Sequence, residues 1–210
     1  MASAISVVLG IVHIRVSGTN NFAFLLFNLG LAWIPLLAAG VAYAASRRRV
    51  TFYLVMPICT LVWLIFFPNA PYLLTDFGHL AYANANTPQW FDVIVLVWFA
   101  WTGLILGITS LYLIQEIVRR TFNALIGWIF TVSAVILSSV GVYMGRFLRW
   151  NSWDLLQDPL PIAREMYGIV RHPITYLPTY VFTILFTLLI LFIYVAIYLL
   201  GTIIRERLER

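Results

Sequence analysis

Apolar residues along this chain come in long unbroken blocks, and the polar positions collect in the gaps between them. Neither the two-residue alternation of a half-buried strand nor the one-sided stripe of a soluble helix dominates. Six blocks read as helices crossing a membrane, over residues 1–14, 22–45, 51–67, 93–115, 121–145 and 178–204. Five have spanning length. In the first, Met1 to Val12 cover only about 18 Å of a hydrocarbon core about 30 Å thick. That block reads as a short or truncated first span with His13 and Arg15 at its outer end. It has no positive residue ahead of it, so a secretory leader is not expected.

The interruptions are as informative as the blocks. Pro35 inside the second span predicts a kink or a packed interior site. Asn28, polar at depth, predicts an interhelical hydrogen bond. Pro68-Asn69-Ala70-Pro71 stops the third span, because proline lacks an amide donor and biases its predecessor away from helix. The stretch 72–80 that follows is too apolar for an open loop and too short to cross, so it reads as re-entrant or interfacial. In it Asp76 and His79 share a face if the turn is helical. Thr87-Pro88-Gln89-Trp90 predicts a helix start with a hydroxyl cap, and Asp92 falls in the first turn, where the helix dipole favours an anion. Gly103, Gly107 and Ser110, like Ser138, Gly141 and Gly145, predict close-packing faces.

Composition fits this pattern: 62% of residues are hydrophobic and 10% charged, and the mean hydropathy is +0.94, which excludes an ordinary water-soluble domain. All 13 cations are arginine. The net charge of +5 suits cytoplasmic helix ends facing anionic lipid, so membrane lipid is the expected partner and no nucleic acid is invoked. Cys59 is alone, which rules out an intramolecular disulfide. One side of the predicted topology collects Arg47, Arg48, Arg49, Arg119, Arg120, Arg205, Arg207 and Arg210. The other has Arg15, Arg146, Arg149, Arg164 and Arg171, offset by five acidic residues. The first side is therefore expected to be cytoplasmic, with both termini there and the two long polar loops outside.

Candidate chemistry then falls on the outer face. Asn69, Asp76 and His79 form one group; Asp92 is a second; Arg146, Arg149, Asn151 and Asp154 are a third; His172 is a fourth. Ionisable groups near membrane depth are expensive and need partners or a function. Arg146 and Arg149, three apart, suit bidentate binding of phosphate or carboxylate. Asp76 and His79 suit general acid–base work. The bland alternative is a salt-bridge cluster, with arginines complementing a helix C-terminus and snorkelling to lipid phosphate and Trp150 and Trp153 as belt aromatics. A metal on Asp76 and His79 with Asp154 or His172 is a third reading, unsupported by any metal-binding spacing. No P-loop, dinucleotide fingerprint or nucleophile elbow occurs, and no motif specifies a cofactor or an oligomeric state.

Three segments carry a resemblance: Phe67-Pro68-Asn69-Ala70-Pro71-Tyr72-Leu73-Leu74-Thr75-Asp76; Trp90-Phe91-Asp92; and Gly145-Arg146-Phe147-Leu148-Arg149-Trp150-Asn151-Ser152-Trp153-Asp154. Together they resemble the domain of unknown function numbered thirteen-sixty-one, from about Asn20 onward. The resemblance implies a multi-pass fold in a bacterial cytoplasmic membrane and no particular activity. The expectation is thus an all-α integral membrane helical bundle of about six transmembrane spans in a single domain, 1–210. Its outer polar site would bind or process an anionic, lipid-linked ligand, with Asp76 and His79 as the acid–base pair. Arg146 and Arg149 would hold the anion, and Asn69, Asp92, Asn151 and Asp154 would line the site. A transporter and a structural partner in a membrane complex are the other classes. Against a transporter stands the lack of any charge predicted at mid-depth.

Overall fold

A computed structural model describes residues 1–46, 49–82 and 86–208. Arg47, Arg48, the loop residue Asn84 and Arg210 lie outside the described residues. Every regular element among the described residues is a helix. Five segments are long and apolar enough to cross a membrane, and a shorter apolar helix precedes them. The chain is a multi-pass membrane protein. It forms two compact units, Met1–Gly127 and Trp128–Arg210.

The first unit is built on α5 (Gln89–Thr121), whose 33 residues extend about 50 Å. Against it pack α1 (Ala2–Ser17), α2 (Ala23–Ala45), the short α4 (Asn69–Tyr72) and a 3₁₀ helix (Leu73–Tyr82), and α3 (Arg49–Phe66) lies along α2. Helix α1 is turned inside out relative to a soluble helix. Ser6, Gly10, His13 and Ser17 are buried while Val8, Ile11 and Val16 are exposed. That distribution suits a helix whose surroundings are hydrocarbon, where small and polar side chains mediate contact and apolar ones face lipid. The helix ends at Gly18, whose φ of 66° makes a left-handed cap that returns its amide to the Ile14 carbonyl. Helix α2 buries Leu25, Leu29, Ala32, Pro35, Ala39 and Ala42 along one stripe. Pro35 therefore occupies a packed interior position, as one of its two readings anticipated.

Helix α3 ends at Phe66, where the proline-rich break was expected to stop it. The apolar segment of crossing length nevertheless runs on over Val55–Leu80. Its register against α5 shows the path. Trp63 Nε1 donates to Ser110 Oγ at 3.1 Å, and a methyl group placed on Gly107 would meet Ala70 Cβ at 3.1 Å. One placed on Gly103 would meet the Ala70 carbonyl oxygen at 2.5 Å. As the chain advances from Trp63 to Ala70 it moves back along α5, so the broken helix runs antiparallel to α5 through and beyond the proline pair. The small-residue face of α5 exists to admit this irregular backbone.

In the second unit α6 (Ala124–Phe147) and α9 (Leu177–Leu208) are the two crossing helices. They meet through Tyr143, Phe147, Phe182 and Phe186 at one level, a 2.9 Å hydrogen bond between the Thr187 and Ser139 hydroxyls at another, and Trp128 against Tyr194 and Tyr198 at a third. Between them come the one-turn α7 (Asp154–Gln157) and α8 (Pro159–Arg171). Helix α8 buries Ile162 and Ile169, and Tyr180 donates from its hydroxyl to the Ile169 carbonyl at 3.0 Å.

Candidate functional site

Two carboxylates in the first unit are fully buried, and each has a histidine within reach. Asp76 has 0% exposure. It sits in the 3₁₀ helix, whose three-residue repeat eclipses side chains three apart, so His79 stacks directly over it, with Nδ1 3.9 Å from Asp76 Oδ1. The same nitrogen lies 3.3 Å from the Asp76 backbone oxygen. Asn28 Nδ2 donates to Asp76 Oδ2 at 3.3 Å, which is the interhelical bond that its depth predicted. The His79 side chain is 35% exposed against 1% for that of Asp76, so the pair runs from a buried carboxylate to an accessible ring. Phe24 flanks that ring at 4.4 Å between centroids.

The second pair joins residues that no local spacing links. His13 Nε2 lies 2.6 Å from Asp92 Oδ1, and both side chains are out of solvent. The Thr87 hydroxyl donates to the same carboxylate, 3.0 Å from Oδ1 and 3.3 Å from Oδ2. Thr87 thus binds the Asp92 side chain rather than capping α5, whose cap position is Pro88 with no side-chain cap hydrogen bond. The His13 ring lies edge-on to Phe22 at 4.4 Å and stacked on Phe91 at 5.6 Å, and its Nδ1 has no hydrogen-bond partner among the described residues. Rings continue from Phe22 to Phe24 at 6.2 Å and on to His79, so an unbroken aromatic row joins the two His–Asp pairs. The signal for the second pair lay in α1 itself, where Ser6, Gly10, His13 and Ser17 share one face. Asn69, at the break in the third crossing, donates from Nδ2 to the Phe66 carbonyl at 3.0 Å and thereby caps the end of α3.

The second unit carries the other predicted residues. Arg146 is half-buried in the last turn of α6, and Arg149 is exposed just beyond it. Arg149 has φ 59°, the one non-glycine residue with positive φ among those described. Its left-handed turn lets the Trp150 amide, like that of Leu148, bond the Met144 carbonyl. Asn151 and Asp154 hold each other: Asp154 Oδ2 accepts from the Asn151 amide at 2.7 Å and from Asn151 Nδ2 at 3.2 Å. His172 is exposed at the end of α8. Nearby, the Glu165 carboxylate beside Tyr176 holds its phenol above the ordinary tyrosine range, with partial burial adding to the effect. Among the described residues no group of three or more His, Cys, Asp or Glu side chains is placed to hold a metal ion.

A family model described as "Protein of unknown function (DUF1361)" matches residues 27–202. No curated protein and no solved structure matches the chain.

Proposed function

The chain belongs to that family of unknown function, and from its own geometry we propose that it recognises or processes an anionic, lipid-linked ligand at the extracytoplasmic face of a bacterial cytoplasmic membrane. The observation that supports this is the Asp76–His79 pair. A carboxylate with no solvent exposure lies 3.9 Å from Nδ1 of a ring that is one-third exposed, the Asp76 backbone oxygen contacts the same nitrogen, and Asn28 holds the carboxylate. An accessible imidazole, a nearby carboxylate and a support for that carboxylate suit proton transfer to or from a bound ligand. In this reading the His79 ring exchanges the proton and Asp76 stabilises the imidazolium that results. Asp92 is held by His13 and Thr87 and acts as the anchor of α1. In the second unit, and separately from the Asp76–His79 pair, Arg146 and Arg149 are proposed to bind an anionic group. Asn151 and Asp154 shape the turn that follows them.

One observation favours a transporter as the second reading. The third crossing is a broken helix with Asn69 at the break, and discontinuous spans supply substrate sites in many transporters. The test is paired: thermal melting of purified His79→Ala and Asp76→Asn beside mass analysis of the lipids that co-purify with each. The reading expects near-normal melting of His79→Ala, with loss of an anionic lipid-linked species that the unaltered protein retains. Identical lipid profiles in all three proteins would reject it.

A further inference from the structure

Helix α8 has no role in that reading, yet its exposed face is unusual. Leu160, Arg164, Tyr167 and Arg171 follow at spacings of four, three and four, so they form one stripe along the 13-residue helix. All four are exposed. Val170 and Ile174 flank them at 70% and 90% exposure. In water such a face would be a liability. The stripe itself holds two arginines and no acidic residue. Arg171 donates to the Tyr167 hydroxyl at 2.7 Å and lies over its ring, and neither arginine forms an ion pair among the described residues. The acidic residue of this helix, Glu165, acts on Tyr176 instead. The opposite side of α8 is satisfied, with Ile162 and Ile169 buried and the Tyr176 hydroxyl lying over Gly168.

We propose that α8 lies in the membrane interface and that its Arg164–Tyr167–Arg171 stripe binds the phosphate headgroups of anionic phospholipid. Charge and position favour this occupant over a protein partner. Helix α8 joins two crossing helices of its own unit, so the leaflet surface is within reach at both ends. Exposed aliphatic side chains beside arginines and a tyrosine match the layered polarity of that zone, with methyl groups entering the acyl boundary and guanidinium groups meeting phosphate. Nothing in this inference depends on the Asp76–His79 reading.

The test uses the full-length protein in nanodiscs of phosphatidylcholine alone or mixed with phosphatidylglycerol. Binding preference is read from exchange of spin-labelled forms of the two lipids. A nitroxide at Val170→Cys, in a Cys59→Ser background, reports immersion through its accessibility to oxygen and to a polar nickel chelate. We expect preference for phosphatidylglycerol, falling about fivefold for each of Arg164→Gln and Arg171→Gln, and a label at headgroup depth. Asn20→Ala, at an exposed uncharged position of the first unit, serves as the control and leaves the preference unchanged. Melting temperatures of both single variants guard against loss of fold. Equal lipid preference in variants and parent, or a label exposed to bulk water, would overturn the proposal. So would displacement of the labelled lipid by millimolar inorganic phosphate, which would mark a site for a soluble anion.

Discussion

His13 and Asp92 stand seventy-nine residues apart in sequence and 2.6 Å apart in space, sealed from solvent between Phe22 and Phe91. This contact, together with the Ser6–Thr102 hydroxyl bond at 2.9 Å, fastens α1 to α5 by polar groups in an apolar setting. Removing one partner strands the other. Asp92→Ala and His13→Ala are each expected to cost about 3 kcal/mol or more. The double variant should cost clearly less than their sum. Chemical unfolding of the detergent-solubilised proteins measures this cycle, and strict additivity would show that the two groups are independent.

Glycine substitutions in α5 test the path of the broken third crossing. A methyl group on Gly103 would lie 2.5 Å from a backbone oxygen, whereas one on Gly107 would lie 3.1 Å from the Ala70 side chain. Gly103→Ala should destabilise strongly and Gly107→Ala less. Gly40→Ala, with nothing within 4 Å, should be neutral or stabilising by up to about 1 kcal/mol. Melting temperatures give the order, and a harmless Gly103→Ala would contradict the packing of α4 on α5.

These two cases show what sequence could and could not reveal. Hydropathy located the crossing helices because lipid demands long apolar runs whatever their packing. It also marked Gly103, Gly107 and Ser110 as a contact face, since close approach needs small residues. Pro68 and Pro71 were read as a stop because their local effect is to break helix; the chain nevertheless continues along α5, where those glycines give it room. The His13–Asp92 pair stayed hidden because nothing local links the partners. Only the run of polar and small residues on one side of α1 hinted that this side faces protein. Asp76 and His79 were legible because three-residue spacing is local, while the burial of the carboxylate and its bond to Asn28 were not.

Arg149 offers a cleaner separation of structure from function than most residues. Its left-handed backbone disfavours any side chain, so Arg149→Gly should stabilise the protein by about 1 kcal/mol. If the guanidinium also binds an anion, that same variant should melt higher and lose binding of the co-purifying anionic lipid. A variant that melts higher with binding intact would remove Arg149 from the proposed ligand set.

The proposed orientation rests on arginine distribution and can be checked directly. With Cys59 replaced by serine, cysteine at Asn86 or Gln157 should react with a membrane-impermeant reagent added outside cells, and cysteine at Ser46 should not. The reverse pattern would move the Asp76–His79 site to the cytoplasmic side.

The central claim, that Asp76 and His79 act on a ligand rather than merely hold the bundle together, meets its most direct test in His79→Ala. The histidine side chain is 35% exposed and its loss leaves the Asn28–Asp76 bond in place, so folding should survive. The measurement is the melting temperature of the purified variant set beside its ability to complement a deletion of the gene in cells. The account predicts a melting temperature close to that of the parent with complementation abolished. A variant that melts early and fails in proportion, or one that melts normally and complements fully, would contradict it.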